Sequence, residues 1–233
     1  MSMTSPVAYN LDEGVAVITM DDGKANALSE AMIAALLEAL ARAENEASAA
    51  VLVGRTDRFC AGFDLKVMMS SPEAALALLG SGSGLLMKLY GAKLPLVLAV
   101  TGHALAGGAL VVLTGDVRIG AAGAFRIGLN EVSIGMPVPL LAMELARSRL
   151  LPTELGPATL QSKIYSPEDA VRAGYLDEVV PADRVLPRAL EEARRLAGLP
   201  KAAYVGTKKR QRGKTIEYIL SNLESDAADM LGG

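Results

Sequence analysis

Histidine, cysteine and tryptophan are almost absent from this chain of 233 residues, which contains one histidine, one cysteine and no tryptophan. The single cysteine, Cys60, excludes an intramolecular disulfide and suits a reducing compartment. One histidine and one cysteine cannot form a zinc site of known spacing, so we predict no metal site. A Ser-His pair could use only His103, and the chain has no Gly-x-Ser-x-Gly motif. We therefore expect Cys60 to be a small packing residue and His103 to be structural.

Aromatic residues make up only 4 % of the chain and the net charge is −3, so neither base stacking nor a global attraction to nucleic acid is expected. The N-terminus has neither the basic nor the apolar region of a signal peptide. Residues 94–115 carry no charged side chain and are long enough to span a bilayer. They contain Pro95 and a pair of glycines, however, and change from strand-like to helix-like midway. We therefore predict a cytoplasmic protein without a membrane span.

Strand-like and helix-like segments alternate along the chain, which is 51 % apolar, and this predicts an α/β fold with one main domain. Strands are predicted at residues 15–20, 50–54, 96–100 and 117–122. Helices are predicted after Ser29, at residues 139–150, 167–173 and 186–196, and as a C-terminal amphipathic helix with apolar positions from Ile216 to Met230. A Gly/Ser segment at residues 80–84 interrupts the helical stretch 72–90, and we expect it to be mobile.

The most informative segment is residues 101–110, a Gly-rich turn that follows the apolar run at residues 94–100 and leads into a helix. Such a turn brings free backbone N–H groups to a helix N-terminus, where they can hold a bound anion or one that develops in a reaction. A second glycine loop, at residues 59–65, lies near a predicted strand. The two loops could supply two convergent N–H donors, although glycines also occur where a chain merely turns tightly.

Glu131 is the third candidate, because it lies between two glycines in an apolar segment. A lone glutamate is normally a solvated surface group. The apolar neighbours here are Ile127, Leu129, Val132, Ile134 and Met136. Burial among them would raise the pKa of the Glu131 carboxyl and make it a usable base.

Taken in order, these three segments resemble the crotonase family, the enoyl-CoA hydratase/isomerase superfamily, from about residue 15 to about residue 209. The resemblance implies a crotonase-like (ClpP/crotonase) α/β spiral of ββα units over residues 1–185. It implies a C-terminal helical trimerisation region over residues 186–233, and hence a homotrimer or a dimer of trimers. It also implies an acyl-CoA thioester substrate and no cofactor, since coenzyme A is part of the substrate.

The resemblance assigns roles to particular residues. Phe63 and Gly107 match the pair whose N–H groups form the family's oxyanion hole, and Glu131 matches a catalytic glutamate. Asp116 matches the acidic residue that usually ends the following helix. Residues 24–28 are similar to the family's early CoA-binding segment. The residues expected to bind CoA or substrate are Lys24, Ala25, Ala61, Gly62, Asp64, Leu65, Leu110 and Met136.

Leu110 separates the subfamilies. Hydratases of the family activate water between two glutamates, and one of them lies at the position of Leu110. The pattern with Glu131 alone resembles the mitochondrial-type Δ3,Δ2-enoyl-CoA isomerases of fatty-acid metabolism, which move a double bond from C3 to C2 through a thioester enolate. One carboxylate is sufficient for that proton transfer, and no water is consumed.

Two alternatives stay open. The first is an enoyl-CoA hydratase or another acyl-CoA lyase of the same family, in which another group, such as Glu144, replaces the missing glutamate. The second is a non-catalytic acyl-CoA-binding or RNA-binding protein that uses the basic segment at residues 208–212. Such a segment is usually a solvated face, but it could also contact CoA phosphates.

Overall fold

A computed structural model describes residues 5–232 of the chain and the side chains of residues 5–228. Residues 1–4 and 233 of the predicted domains, and the side chain of Met230, therefore lie outside the described part. The strands are β1 (Val7–Asp12), β2 (Val15–Met20), β3 (Ala49–Val53), β4 (Asp57–Cys60), β5 (Leu96–Val100), β6 (Gly102–Leu105), β7 (Val117–Ala121), β8 (Ile127–Gly128) and β9 (Glu178–Val180). The first helices are α1 (Glu30–Glu46), α2 (Leu65–Met68), α3 (Pro72–Tyr90), α4 (Gly107–Thr114) and α5 (Leu140–Arg149). The later helices are α6 (Pro152–Thr159), α7 (Pro167–Ala173), α8 (Val185–Ala197), α9 (Lys201–Ser221) and α10 (Leu223–Gly232).

The chain winds as a spiral in which successive turns each add one strand to each of two sheets. The larger sheet has the order β1-β2-β3-β5-β7-β9, and the smaller one has the order β4-β6-β8. The β1–β2 pair is antiparallel; the strand pairs from β2 to β9 and both pairs of the smaller sheet are parallel. This arrangement confirms the predicted α/β spiral of ββα units. It also directs the carboxyl ends of β4, β6 and β8 to one edge of the smaller sheet.

Alternate residues of the larger sheet face two different cores, as the period of a strand requires. Ile18, Leu52 and Leu98 belong to the main core, between this sheet and the helices α1, α3 and α4. Val51 and Val97 point to the other face, where α8 covers the sheet with Ala189 and other small apolar residues. The parallel strands are buried on both faces, and this explains their almost continuous apolar sequences.

The predicted Gly/Ser interruption at residues 80–84 is wrong, because α3 runs through it without a break. Buried Leu78, Leu85 and Leu86 anchor the helix on both sides of the segment. At Gly82 a side chain would collide with the ring of Phe63. Tertiary packing therefore outweighs the low helix propensity of glycine and serine here.

The C-terminal helical prediction is correct in type, but the predicted helix is divided. Helix α9 begins at Lys201 and ends at Ser221, and α10 follows after Asn222. Both helices pack on α3 and α5 of their own chain. The trimerisation role of this region stays a prediction. None of the helices in the described residues is long and apolar enough to cross a bilayer.

Candidate active site

Three predicted site residues follow the carboxyl ends of three adjacent parallel strands. Phe63 lies three residues past β4, Gly107 two residues past β6, and Glu131 three residues past β8. The loops are aligned by the pairing of Leu105 with Gly128 and by a hydrogen bond of 3.0 Å from the N–H of Ala106 to the carbonyl of Gly128. The fold thus brings two candidate donors and one carboxylate to one edge of the smaller sheet.

The N–H of Phe63 points away from Leu28, the residue to which the loop of Phe63 is hydrogen-bonded. The N–H of Leu28 donates to the carbonyl of Gly62 at 2.8 Å, and the N–H of Asp64 donates to the carbonyl of Leu28 at 3.3 Å. This is the pattern of a parallel bridge between Leu28 and Phe63. In such a bridge the residues on either side of Phe63 make the bonds, so its own N–H points to the opposite side.

Gly107 lies against the same loop. A Cβ placed on Gly62, whose φ is +96°, would lie 3.2 Å from the backbone nitrogen of Gly107 and 3.1 Å from the carbonyl oxygen of Leu105. At Gly108 a Cβ would overlap the carbonyl oxygen of Cys60. Glycine is therefore required at both places because the two backbones touch. As the first residue of α4, Gly107 has no helical carbonyl to receive its N–H.

Helix α4 strengthens the site electrostatically. Its residues are all buried, and it begins after Ala106, which takes the unusual backbone angles φ 48° and ψ −123°. The positive end of the helix dipole therefore lies at Gly107 in a region of low dielectric constant. At the other end, Arg149 donates to the carbonyls of Leu113 and Gly115 and Arg212 donates to that of Thr114. These cations satisfy the C-terminal carbonyls of α4 and hold the helix in place.

Glu131 is buried, with 7 % of its surface exposed. Desolvation raises the pKa of its carboxyl above the ordinary value, and nearby backbone N–H groups of Glu131 and Asn130 oppose the shift. Its Oε2 atom has no hydrogen-bond partner among the described residues. A buried carboxylate without a cation beside it has the properties of a general base.

The residues that bury Glu131 are only partly those that the sequence indicated. Leu129 and Ile127 are buried as expected, but Val132 and Ile134 are 43 % and 54 % exposed, so the expectation that they cover the carboxyl is wrong. They lie in a short 3-10 helix, Val132–Ile134, that turns them outward. The segment turns back on its own backbone, because the backbone carbonyl of Glu131 accepts the N–H groups of Ile134 and Met136.

Tyr175 lies near the base, although no sequence motif marks it. It is fully buried, and its hydroxyl has no partner among the described residues. Burial raises the pKa of this phenol, and the nearby Tyr165 and Glu131 raise it further. A tyrosine after the Gly174 turn carries no recognisable catalytic motif, so only the fold reveals its position.

Asn26 holds the predicted CoA-binding segment against the first donor loop. It is fully buried with φ 53°, and its Nδ2 donates to the carbonyls of Met20 and Phe59 at 2.9 and 3.2 Å. The N–H of Ala61 donates to the carbonyl of Ala25 at 3.1 Å. The available signal for Asn26 was its place after an Asp-Asp-Gly turn, where asparagine tolerates positive φ.

The predicted substrate-binding residues fall into two groups. Lys24, Ala25 and Asp64 line an open groove of about 870 Å³. Leu110 is buried and, with Phe63, lines a smaller cavity of about 80 Å³. The remaining predicted residues are not among those that line these two spaces. Ala61 and Gly62 belong to the donor loop, Leu65 is exposed at the start of α2, and Met136 is half-buried.

Cys60 and His103 have structural environments. Cys60 is fully buried, and burial raises the pKa of its thiol to about 12, so it is inert at neutral pH. His103 lies in β6 rather than in a turn, and its Nδ1 accepts the N–H of Arg126 at 3.1 Å.

The basic segment in α9 is not the solvated face that its sequence indicated. Lys208 and Arg212, four residues apart, are buried. Their side chains pair with the two carboxylate oxygens of Asp116 at 2.5 and 2.8 Å, while Lys209 and Arg210 remain exposed. The cationic groups of Lys208 and Arg212 are thus already paired with a carboxylate of their own chain.

Comparison with known proteins agrees with this geometry. A model of the family described as enoyl-CoA hydratase/isomerase matches residues 10–228. The chain is 30 % identical to human mitochondrial enoyl-CoA delta isomerase 1 over 94 % of its length and 74 % of the human protein. It is 34 % identical to a protein of Rhodobacter capsulatus named probable enoyl-CoA hydratase, over 87 % of this chain and 79 % of that one. A solved enoyl-CoA hydratase/isomerase family protein from Pseudomonas syringae superposes with a TM-score of 0.95 at 38 % identity, covering 98 % and 100 % of the two chains.

Proposed function

The chain belongs to the enoyl-CoA hydratase/isomerase family, and from that premise we propose that it is a Δ3,Δ2-enoyl-CoA isomerase with Glu131 as its sole acid and base. The observation that carries the proposal is the pair formed by a buried carboxyl at Glu131 and a buried leucine at position 110. The site thus has one group that can move a proton and no second carboxylate at the place where the family's hydratases have one.

The proposed reaction is a proton transfer within the acyl chain. Glu131 removes a proton from C2 of a 3-enoyl thioester, and the electron pair delocalises onto the thioester oxygen as a dienolate. The protonated carboxyl then returns a proton to C4, which leaves the double bond between C2 and C3. Atoms and charge balance without water or a redox partner. The raised pKa of the Glu131 carboxyl suits both proton transfers, because the group must first accept a proton and then release it.

The enolate oxygen is the anion that the glycine loops are proposed to hold. The N–H groups of Phe63 and Gly107 are the two donors, and the N-terminus of α4 adds its field. Both donors are backbone groups fixed by the contacts of Gly62 with Gly107 and of Cys60 with Gly108. Donors held in this way need little reorganisation as charge develops.

Hydration is the alternative that the site supports less well. Leu110 is 3 % exposed and can neither hold nor protonate a water molecule. Glu144, the substitute considered from the sequence, lies in α5 and pairs with Arg147 at 2.5 Å. Among the described residues, the other buried glutamate is Glu192, which pairs with Arg195 in α8, on the far face of the larger sheet.

The remaining expectations belong to the same proposal. The acyl-CoA thioester supplies its own coenzyme A, so the reaction needs no cofactor. The groove at Lys24, Ala25 and Asp64 is the proposed place for part of the CoA moiety. A homotrimer or dimer of trimers in the cytoplasm is the proposed working state.

The test is a panel of thioesters scored separately for two products. Purified protein is incubated with 3-enoyl-CoA and, in parallel, with trans-2-enoyl-CoA, and the products are separated and weighed by mass spectrometry. Isomerisation leaves the mass unchanged, whereas hydration adds one water. We expect isomerisation to exceed hydration by at least about 10²-fold, since one missing catalytic carboxylate costs that much or more. Comparable rates of hydration would refute the isomerase assignment and favour the hydratase.

A further inference from the structure

Three buried polar atoms in the region of the candidate base lack a hydrogen-bond partner among the described residues. They are Oε2 of Glu131, the hydroxyl of Tyr175 and Oδ1 of Asn130. A buried polar atom without a partner is costly, so each such atom in a folded protein needs an explanation. While Glu131 is ionised, its Oε2 and the amide oxygen of Asn130 can only accept a hydrogen bond. The hydroxyl of Tyr175 is the group among these three that can donate one.

The fold anchors the ring of Tyr175 to the strand that Glu131 follows. Helix α7 is ended by Gly174, whose φ of 98° turns the chain inward, and Tyr175 comes directly after it. The ring of Tyr175 packs on that of Tyr165 with 5.4 Å between the ring centroids. Tyr165 is joined to Ile127 of β8 by two backbone hydrogen bonds of 3.0 and 2.9 Å. The segment that carries the base and the segment that carries the phenol are therefore tied together through this aromatic pair.

The phenol of Tyr175 stays protonated and so remains a donor. Its burial raises its pKa, and the nearby Tyr165 and Glu131 raise it further, while the N–H of Leu129 opposes the shift. Leu129 lies only two residues before Glu131, so the phenol oxygen lies beside the backbone of the base's own segment. The N–H of Leu129 points to the phenol oxygen and leaves the hydrogen of the hydroxyl for an acceptor.

The hydroxyl of Tyr165, in contrast, is already engaged. It donates to Oε2 of Glu154 at 2.8 Å, and Lys163 pairs with the same oxygen at 3.1 Å. These two charged groups therefore compensate each other on the far side of the aromatic pair. The pKa of Glu131 is shifted by desolvation and by backbone N–H groups, and no charged side chain of the described residues is among the causes. Its Oε2 thus faces Tyr175 without competition from a cation.

We propose that Tyr175 is a positioning residue whose hydroxyl donates to Oε2 of ionised Glu131 and so directs the other oxygen, Oε1, towards C2 of the substrate. The two groups are not hydrogen-bonded in the structure, but catalytic hydrogen bonds are often long before substrate binds and tighten in the complex. An ionised carboxylate is also a stronger acceptor than the amide of Asn130. The inference rests on the proposed function, because it takes Glu131 as the base.

Removal of the hydroxyl should change the acid–base behaviour of Glu131. A hydrogen bond donated to a carboxylate favours the ionised form and lowers its pKa, so its loss should raise that pKa. In Tyr175→Phe we expect the acid-side midpoint of kcat to rise by about one pH unit or more, the size expected of one hydrogen bond to a charged group. On the plateau, kcat should fall about tenfold or more, because the carboxylate is less well aligned. The Kd for butyryl-CoA should stay within twofold of wild type.

Tyr165→Phe is the matched control. It makes the same chemical change in the same aromatic pair, but the hydroxyl that it removes belongs to Glu154. We expect this variant to have a lower Tm and the wild-type midpoint of kcat. An unchanged midpoint in Tyr175→Phe, or an equal shift in Tyr165→Phe, would overturn the inference. If Tyr175→Phe does not fold, Tyr175→Met, whose flexible side chain fills irregular apolar space, should shift the midpoint in the same direction.

A direct titration separates this inference from the proposed function. Carbon-13 NMR of glutamate-labelled protein with butyryl-CoA bound gives the pKa of the Glu131 carboxyl without turnover, and Glu131→Gln identifies its signal. If no thioester is isomerised but the pKa of Glu131 rises in Tyr175→Phe, the isomerase proposal fails and the hydrogen bond from Tyr175 stands. If isomerisation is normal and neither the kinetic midpoint nor the pKa of Glu131 changes, the isomerase proposal stands and the role of Tyr175 fails.

Discussion

The ring of Phe63 packs directly on the α-carbon of Gly107, so that a Cβ at position 107 would lie 3.0 Å from Cδ2 of that ring. The two residues come from loops more than forty positions apart in the sequence, yet the backbones of these loops touch at Gly62 and Gly107. This contact fixes the relative position of the two N–H groups that are proposed to share one oxygen. The site should therefore be sensitive to the addition of a single methyl group at position 107.

Gly107→Ala should disturb the donor pair, because the new methyl must displace either the Phe63 ring or its own helix. We expect kcat for isomerisation to fall by about 10²-fold or more, the cost of losing one such donor. Overpacking at this contact should also lower the free energy of unfolding by about 1–3 kcal/mol. The matched control is Gly156→Ala in α6, where a Cβ has open space. Loss of activity in the control, or full activity in Gly107→Ala, would argue against the donor assignment.

The pH dependence of kcat/KM should report the burial of Glu131. The carboxylate must be ionised to remove a proton, and desolvation raises its pKa in the folded protein. Activity should therefore decline on the acid side with a midpoint above about 4.3, the value for an unperturbed glutamate. A profile that stays flat down to that pH would contradict a buried base, provided that circular dichroism shows the protein still folded.

Leu110→Glu tests why the site does not hydrate its substrate. The variant places a second carboxyl where the family's hydratases have one, so water addition to crotonyl-CoA should become measurable. The buried charge should lower the free energy of unfolding by about 2 kcal/mol or more. Leu110→Gln is the control for size and polarity, and it should show no hydration. Hydration in both variants, or in neither, would show that this position alone does not decide between the two reactions.

Asp116→Asn tests the buried charge cluster behind α4. The change leaves Lys208 and Arg212 buried without their carboxylate, and breaking a buried pair in this way costs about 3–5 kcal/mol. Asp169→Asn breaks the exposed pair with Arg172 and should cost less than about 1 kcal/mol. Urea unfolding of the two variants measures the difference. Similar losses would mean that the cluster does not hold the C-terminal end of α4.

Long apolar strands were the part of the fold that the sequence predicted well. β3 and β5 are continuous apolar segments buried on both faces, and β2 and β7 are each interrupted by one polar residue, Thr19 and Arg118. This pattern is visible in the residues themselves. The short strands β4, β6 and β8 were missed. They are two to four residues long, and they are strands only because they pair with one another.

The sequence indicated the wrong environment for Lys208 and Arg212 and the wrong conformation for the Gly/Ser segment, for two different reasons. Lys208 and Arg212 looked solvated because they stand in a basic run, yet their spacing of four places them on one helix face, and Asp116 meets that face inside the protein. The Gly/Ser segment looked mobile because its local propensity is low. Gly82 is instead required by the ring of Phe63, a contact that no local pattern contains.

Glu131 was found from its sequence neighbourhood together with the family resemblance, but the origin of its burial was only half predicted. Leu129 and Ile127 are buried beside it, whereas Val132 and Ile134 face outward. The charge of Glu131 also raises the pKa of Tyr175, which lies more than forty residues further along the chain. The partners of a buried base come from several elements, and a single sequence segment cannot reveal them.

The most direct measurement is the turnover of 3-enoyl-CoA by Glu131→Gln. The amide keeps the size of the side chain but cannot accept and return the C2 proton. We expect kcat to fall by about 10³-fold or more while the Kd for a saturated acyl-CoA stays within a few-fold of wild type, because the substitution removes an acid–base group and no binding surface. Turnover within tenfold of wild type would contradict the account, since another group would then be moving the proton.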